Sequence, residues 1–202
     1  MKTILHVTSS IYGADGQSSR LAAEFVGRFP RARVITRDLA AEPVPHLDAG
    51  RFRAFLSKPG ERTPAQRAVL DYSDALIAEL RAADTIVLGL PMYNFGVPSQ
   101  LKAYFDHLAR AGLTFKYTEK GAVGLLGGKK AYVFAARGGL YQGTPRDTQT
   151  GYVRDFLAFL GISDAEFVYA EGLAISEATK TRSLAAARHA LRALVQPETI
   201  AA

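Results

Sequence analysis

Short apolar runs alternate with longer segments of helical period along most of the chain. The runs are rich in β-branched residues and are nearly continuous, which is typical of parallel strands covered on both faces. We predict five strands, at residues 3–8, 33–37, 85–90, 130–136 and 166–170. Strands that alternate with helices in this way form an α/β fold around a parallel sheet.

The segments between and after the runs have the 3.6-residue period of amphipathic helices. We predict helices at residues 18–29, 64–82, 98–109, 150–160 and 176–194. Five strand–helix units in a chain of 202 residues suit a three-layer sandwich whose sheet has the strand order 2-1-3-4-5. In such a sheet ligands bind beyond the carboxyl ends of the strands, at the crevice between strands 1 and 3.

One segment, residues 40–63, follows neither period. Proline and glycine interrupt it at positions 43, 45, 50, 59 and 60, and it is long for a connection in an α/β fold. We expect an irregular connection that serves as a lid or as structural packing for Phe52, Phe55 and Leu56. With 48% apolar residues, the chain at 1–202 is predicted to be a single domain.

Composition narrows the chemistry. The absence of cysteine excludes disulfides, thiolate catalysis and sulfur-ligated zinc or iron, so redox chemistry would need a bound organic cofactor or a metal held by other ligands. The four histidines show no metal-ligand spacing, and no metal site is expected. The net charge of +6 is scattered along the chain, which argues against a nucleic-acid partner. We find no apolar run long enough for a membrane helix and no signal peptide, and we expect a cytoplasmic protein.

The loop after the first strand combines hydroxyls and glycines at the start of a helix. It contains Ser10, Gly16, Gln17, Ser18 and Ser19. The free N–H groups and the positive end of the helix dipole favour a phosphate there. The same letters also fit an N-cap at Ser18 and a turn at Gly16. No G-x-x-x-x-G-K-[ST] or G-x-G-x-x-G motif is present, so the loop predicts phosphate binding without nucleotide hydrolysis.

The loop after the third strand, "PMYNFGVPSQLK" from Pro91 to Lys102, is unusually apolar. Met92, Tyr93 and Phe95 cannot all be buried behind the sheet in so short a connection. Their flat surfaces at the ligand end suit a planar heterocycle, with Asn94 and backbone N–H groups at its edge. An aromatic-rich interface with another subunit is the alternative, and both can hold at once.

The loop after the fourth predicted strand is "ARGG", Ala136 to Gly139. Its paired glycines, Gly138 and Gly139, permit a ligand to approach the backbone closely, and Arg137 adds a cation near that edge. A simple turn followed by a solvated arginine explains the same letters. Three neighbouring strand ends that each carry an unusual loop are harder to attribute to turns alone.

These loops resemble those of the FMN-dependent NADH azoreductases, which have the flavodoxin-like fold and are also described as NADH:quinone oxidoreductases. The resemblance also covers "RDLAAEPVP" at 37–45, "SQLKAYFDHLARAGLTFKYTEKGAVGL" at 99–125 and "FLGI" at 159–162, so it extends over nearly the whole chain. It implies FMN as cofactor, NADH or NADPH as electron donor, and quinone or azo compounds as acceptors. It also implies a homodimer with two FMN sites near the interface.

The resemblance assigns roles to matching positions. Ser10 and the stretch Gly16, Gln17 and Ser18 would bind the FMN phosphate. Residues 92–95 would hold the isoalloxazine ring, with Asn94 as the catalytic or positioning residue, and residues 136–139 would line the pyrimidine end. Tyr117 and Phe159 match aromatics near the substrate. The family often has serine where this chain has Gly16 and Ala136, which removes two side-chain hydrogen bonds.

The implied reaction has two half-reactions. Hydride passes from NAD(P)H to the flavin, and an electron acceptor then occupies the same ring face. Nitroaromatic compounds are included among the expected acceptors. The alternative is a flavodoxin that carries electrons between proteins, although such carriers are usually acidic. A receiver domain would need clustered carboxylates at the strand ends, and a serine hydrolase would need G-x-S-x-G. Neither feature is present. A solvated or packed role is the simpler expectation for His46 and His107 than that of a proton donor.

Overall fold

The computed structural model describes residues 1–195 and shows a five-stranded parallel sheet with helices on both faces. The strands are β1 (Thr3–Thr8), β2 (Arg33–Asp38), β3 (Thr85–Pro91), β6 (Lys130–Ala136) and β7 (Asp164–Ala170). Their order across the sheet is β2-β1-β3-β6-β7, and every pair is parallel. The predicted order 2-1-3-4-5 and the flavodoxin-like α/β fold are confirmed.

Six α-helices accompany the sheet within the described residues. They are α1 (Gln17–Val26), α2 (Ala49–Phe55), α3 (Pro64–Ala82), α4 (Ser99–Leu108), α5 (Thr150–Leu160) and α6 (Glu177–Leu194). The five predicted helices are present, with small shifts at their ends: α1 ends three residues earlier, and Pro98 precedes α4 instead of opening it. Residues 196–202 of the predicted domain lie outside the described part.

The two faces of the sheet carry separate apolar cores, which makes the fold a three-layer sandwich. Leu5 and Leu88 face α3, α4 and α5, whereas Ile4 and Val87 face α1 and α6. This alternation follows from the two-residue period of a strand. The central strand β3 is buried along its whole length, so its ends can carry function while its body is fixed by packing.

The structure contains elements that were not predicted from the sequence. The connection at 40–63 contains α2, which Asp48 caps by accepting a hydrogen bond from the Arg51 N–H, and a 3-10 turn at Pro59–Glu61. The predicted irregular connection therefore also contains two short regular elements. A small antiparallel hairpin, β4 (Phe115–Thr118) with β5 (Gly121–Gly124), follows α4. Within residues 1–195, no helix combines the length and the apolar character that a membrane crossing requires.

Candidate functional site at the carboxyl edge of the sheet

Three neighbouring strands end side by side at one edge and deliver the three unusual loops to the same place. β3 lies between β1 and β6 in the sheet. The loop after β3 is tied to the end of β6 because the Met92 N–H donates to the Ala136 carbonyl at 3.1 Å. The loops after β1, β3 and β6 therefore lie side by side at the edge of the sheet where ligands bind in open parallel sheets.

The first loop ends in an open helix N-terminus. Gly16 occupies the N-cap position of α1 and offers no side chain to the first-turn N–H groups, which an α-helix leaves without internal partners. The hydroxyls of Ser18 and Ser19 are buried and have no hydrogen-bond partner among the described residues. Ser18 is therefore not the N-cap that the sequence also allowed. The first-turn N–H groups and these hydroxyls are therefore hydrogen-bond donors without an acceptor in the described part of the chain.

A close approach lets α1 sit directly against the central strand. A Cβ atom at residue 89 of β3 would lie 3.2 Å from the Ser18 carbonyl oxygen, so Gly89 leaves room for the helix backbone. A second close approach lies within the loop, where a Cβ atom at residue 16 would lie 2.2 Å from Ser10 Oγ. The side chain of Ser10 thus fills the space that any larger residue at position 16 would need.

Tyr93 connects the first loop to the loop after β3. Its hydroxyl lies 3.2 Å from Ser10 Oγ and accepts a hydrogen bond from the Ile11 N–H at 3.1 Å. Ser10 Oγ in turn accepts from the Tyr12 N–H. Tyr93 was predicted only as a flat wall of the site. In the structure it also fixes the distance between the helix N-terminus and the next loop.

The loop after β3 is a tight hairpin, which we call the 92–97 hairpin. Tyr93 and Gly96 exchange two backbone hydrogen bonds, of 3.2 and 3.0 Å, and the two residues between them, Asn94 and Phe95, have φ angles of 50° and 62°. Positive φ at both central positions is the signature of a type I′ turn. Non-glycine residues, and phenylalanine above all, rarely adopt it, and such strain tends to occur at binding sites.

A crevice of about 650 Å³ opens beside this hairpin. Its volume is within the usual range for small-molecule sites. Asn94 is exposed at its rim, and Met92 and Tyr93 are half-buried. Phe95 is also exposed but does not line the crevice, and its ring lies 5.5 Å from that of Tyr141. The lining residues are Ile11, Met92, Tyr93, Asn94, Val97, Pro98, Ser99 and Gln100.

Two residues that sequence reasoning missed support the hairpin from the side of α5. Thr148 Oγ1 donates to the Phe95 carbonyl. Gln149, which is fully buried, donates from Nε2 to the carbonyls of Pro91 and Gly96 at 2.8 and 2.9 Å. The letters Thr-Gln before a helix read as an ordinary helix start, so the sequence carried no signal for this contact.

Arg137 is placed differently from the sequence interpretation. Its side chain is fully buried and pairs with Asp147 at 2.7 Å and Glu171 at 3.0 Å. It also donates to Thr150 Oγ1 and lies over the Tyr169 ring. We call these five residues the arginine clamp. The side chain is therefore not the solvated arginine that the sequence also allowed, and as a fixed cation near this edge its charge is already compensated by two carboxylates.

The clamp perturbs the acid that closes it. Partial burial acts to raise the pKa of Asp147, but hydrogen bonds from Arg137 and Thr150 outweigh burial and hold the pKa below its usual value. Glu171 also accepts hydrogen bonds from the N–H groups of Tyr141 and Gln142. The clamp thus fixes the whole loop between β6 and α5 to the end of β7.

The glycines after Arg137 form the backbone part of this loop. The carbonyls of Gly138 and Gly139 accept hydrogen bonds from Ala174 and Gly172, which follow β7. Their N–H groups donate to no acceptor within residues 1–195. Ala136, directly before the clamp, is buried. Because Ala136, Gly138 and Gly139 have no polar side chains, the polar groups that they offer at this edge are backbone N–H groups.

Tyr117 and Phe159 lie together, but not in the crevice. Both contact the buried ring of Phe115, with ring centroids 5.3 and 4.3 Å away. Phe159 is on the last turn of α5, whose carbonyl at Leu160 accepts a hydrogen bond from Leu126, and the next residue, Gly161, lies beside the starts of β3 and β6. These aromatics therefore belong to the opposite end of the sheet, and the Tyr117 side chain is 76% exposed there.

The histidines lie away from the crevice lining. His6 and His107 are buried, and burial lowers the pKa of each ring. His107 is packed edge-on between the rings of Phe55 and Tyr72, and its Nδ1 contacts the Ala103 carbonyl. His46 is exposed on the 40–63 connection.

Comparisons with known proteins agree with the fold. The family described as having a flavodoxin-like fold matches residues 2–195. An FMN-dependent NADH:quinone oxidoreductase from Cellvibrio japonicus is 55% identical over 193 residues, which cover 94% of this chain and 96% of that protein. A crystal structure of an azoreductase from Bacillus anthracis superposes with a TM-score of 0.86 at 29% identity, covering 96% of this chain and 98% of that one.

A second Bacillus anthracis structure, an FMN-dependent NADH-azoreductase in complex with FMN, has a TM-score of 0.85 at 26% identity and covers 97% of this chain and all of that one. The resemblance inferred from the sequence is confirmed by these matches. The chain belongs to the flavodoxin-like family of FMN-dependent NADH:quinone oxidoreductases and azoreductases.

Proposed function

We propose that this protein is an FMN-dependent NAD(P)H oxidoreductase that reduces quinones and azo compounds, with nitroaromatics as further acceptors. The observation that carries the proposal is the pairing of an uncapped helix N-terminus, with its buried unpartnered Ser18 hydroxyl, and an aromatic crevice beside it. FMN carries an anionic phosphate at one end and a flat ring at the other. The matched relatives are named for this cofactor.

The N-terminus of α1 fits the FMN phosphate. The first-turn N–H groups of Gln17 and Ser18 are open donors, and the helix dipole adds about half a positive charge at this end. The Ser18 hydroxyl gains the partner that it lacks in the described chain. Ser10, held against Gly16 and Tyr93, adds a further hydroxyl at the rim of this cradle.

The 92–97 hairpin fits the isoalloxazine ring. Met92, Tyr93 and Phe95 supply flat or polarisable surface. The turn leaves the N–H groups of Asn94 and Phe95 outside the Tyr93–Gly96 hydrogen-bond pair, so they can donate to the ring edge. The Asn94 side chain, exposed at the rim, orients the ring or the substrate by hydrogen bonding. At the pyrimidine end Gly138 and Gly139 contribute their backbone N–H groups, whereas Ala136 and Arg137 hold that edge in place through hydrogen bonds to Met92, Ala170 and Leu173.

The bound flavin supplies the redox chemistry, accepting hydride from NAD(P)H and passing electrons to the acceptor. The chain supplies binding and access. Donor and acceptor would occupy the open side of the crevice in turn, which gives ping-pong kinetics. Backbone N–H groups near the pyrimidine end stabilise negative charge that develops there, in place of the arginine side chain that the clamp has taken.

The position of Tyr117 and Phe159 supports a homodimer. They lie at the far end of their own sheet, where Tyr117 is exposed and Phe159 is half-buried. A second copy can bring these rings over the crevice of the first, where they stack on the acceptor and exclude water. We place the enzyme in the cytoplasm, with no nucleic acid or membrane as a partner.

Reconstitution tests the proposal directly. The apoprotein should bind about one FMN per chain, become yellow, and oxidise NADH only when a quinone or azo dye is present. Direct reduction of small acceptors without a partner protein would separate it from an electron-carrier flavodoxin. A protein that binds no FMN under any condition would refute the proposal.

Ser18→Asp tests the phosphate cradle. A carboxylate in the first turn interacts favourably with the helix dipole, but it repels a phosphate bound at the same place. We expect FMN affinity to fall by at least tenfold, with riboflavin affinity nearly unchanged, as measured by quenching of flavin fluorescence. Ser163→Asp, an exposed position at the opposite edge of the sheet, is the control. Equal losses for FMN and riboflavin would contradict the assignment of the phosphate to α1.

A further inference from the structure

Gln149 is a buried amide at an unusual place. It occupies the N-cap position of α5, where side chains normally accept a hydrogen bond from the helix, yet it caps nothing. Its side chain instead turns toward the 92–97 hairpin and donates from Nε2 to two carbonyls, Pro91 at 2.8 Å and Gly96 at 2.9 Å. The first turn of α5 is capped by Asp147 instead, whose Oδ1 accepts a hydrogen bond from the Thr150 N–H at 3.1 Å, so the Gln149 amide is available to the neighbouring loop.

The orientation of this amide follows from its partners. Two carbonyl oxygens can only accept, so the nitrogen must face them. The other half of the amide, Oε1, is buried without a hydrogen-bond donor among the described residues. Burying such an atom destabilises the fold, so the amide is not explained by packing alone. The two hydrogen bonds to the hairpin are what the buried side chain provides.

The two carbonyls lie at the two ends of the strained part of the hairpin. Pro91 is the last residue of β3, and Gly96 closes the turn that holds Asn94 and Phe95 at positive φ. A single nitrogen that bridges them fixes the turn relative to the strand. Thr148 adds a third contact, to the Phe95 carbonyl. Without these contacts an open loop would be lower in free energy than the strained turn.

We propose that Gln149 is a positioning residue that holds the 92–97 hairpin in the strained turn required to receive the FMN ring. This inference rests on the proposed function. It adds that Gln149, in the loop between β6 and α5, determines the shape of the ring site although it does not line the crevice. Gln149 is not expected to touch the flavin, because it acts through the carbonyls of Pro91 and Gly96.

Gln149→Met tests this role because methionine has a similar length and volume but donates no hydrogen bond. We expect the FMN dissociation constant to rise roughly tenfold, because two neutral hydrogen bonds to the hairpin are lost and only part of that loss affects FMN binding. The flavin absorbance bands should also lose their structure and resemble those of free FMN, since the hairpin no longer holds the ring. The matched control is Gln142→Met, at an exposed position on the same loop.

Gln149→Glu gives an independent readout that a purely structural role would not produce. A carboxylate facing two carbonyls cannot donate, whereas the protonated acid regains one O–H donor. The ratio of variant to wild-type FMN dissociation constants should therefore fall as the pH is lowered from 8 to 5.5. Far-UV circular dichroism of each apoprotein confirms that the variants are folded.

The outcomes separate the two levels of the argument. If the wild type binds FMN and Gln149→Met binds it with the same affinity and spectrum, the inference is overturned and the proposed function stands. If the Gln149→Glu ratio is independent of pH, hydrogen-bond donation by this residue is overturned as the cause. If the wild type itself binds no FMN, the proposed function fails first.

Discussion

At the scale of single residues, Gly16 shows how one missing side chain arranges the first loop. Its Cβ position lies 2.2 Å from Ser10 Oγ and 2.5 Å from Ser10 Cβ, both well inside van der Waals contact. The backbone angle at Gly16 is an ordinary extended one. The constraint is therefore steric, and it couples residue 16 to Ser10 and, through Ser10, to the Tyr93 hydroxyl.

We predict that Gly16→Ala destabilises the protein by about 1–3 kcal/mol, the usual cost of forcing a group into occupied space. In a Ser10→Gly background the same substitution should cost much less, because the clash is removed. Urea unfolding of the four proteins in this cycle measures the coupling. Gly60→Ala, where a Cβ meets no atom within 4 Å, is the control. Additive effects of the two substitutions would show that the contact does not constrain the loop.

Residue roles were the part of the site that the sequence predicted least well. The three loops were found because turn letters and aromatics follow the strand ends directly. The pairing of Arg137 was not, because Asp147 and Glu171 lie 10 and 34 residues away in the sequence. Gln149 was missed for a similar reason, since its two acceptors are backbone atoms 58 and 53 residues away. Such contacts arise only when the sheet is assembled.

At the scale of elements, the strands could be predicted almost to the residue because buried parallel strands read as continuous apolar runs. Helix α2 was hidden because Gly50 and nearby prolines break the helical period, and its stability comes from tertiary contacts, such as those of Phe55 with His107 and Arg110. The β4–β5 hairpin was hidden because most of its side chains are exposed. Weakly buried elements leave a weak hydrophobic pattern.

The arginine clamp joins β6, α5 and β7, and its strength should depend on pH. The pKa of Asp147 is lowered in the folded protein by hydrogen bonds from Arg137 and Thr150, which outweigh the opposite effect of burial. The unfolded chain therefore takes up a proton at higher pH than the folded one. The stability that Asp147 contributes is complete above its ordinary pKa of 3.8 and is lost as the pH falls through the lower folded value.

We predict that Asp147→Asn lowers the free energy of unfolding by about 2–4 kcal/mol at pH 7, because it leaves a buried arginine with one carboxylate fewer. The difference from the wild type should shrink below about pH 4 as Asp147 itself becomes protonated. Urea unfolding at pH 7, 5, 4 and 3 measures both effects. Asp155→Asn, on the exposed side of α5, should behave as the wild type. A difference that stays constant with pH would argue against the charge as the source of stability.

At the scale of the whole molecule, the fold separates two groups of aromatic residues. The 92–97 hairpin lies at the carboxyl edge of the sheet, and Tyr117 with Phe159 lies at the opposite end. The resemblance assigned both groups to the family's site but could not show this separation. A sequence does not indicate whether a residue completes the site of its own chain or that of a second copy. A homodimer that combines the crevice of one chain with the aromatics of the other accounts for both positions.

Mixed dimers test this arrangement. We predict that Ser18→Asp has little activity when the FMN concentration is kept below its raised dissociation constant, and that the double variant Tyr117→Ala/Phe159→Ala has little activity because its aromatics are absent. When the two proteins are unfolded together and refolded, half of the dimers should be mixed, and each mixed dimer has one complete site. About a quarter of wild-type activity should therefore return. If each chain used its own Tyr117 and Phe159, no site in a mixed dimer would be complete, and activity would stay at the level of the separate variants.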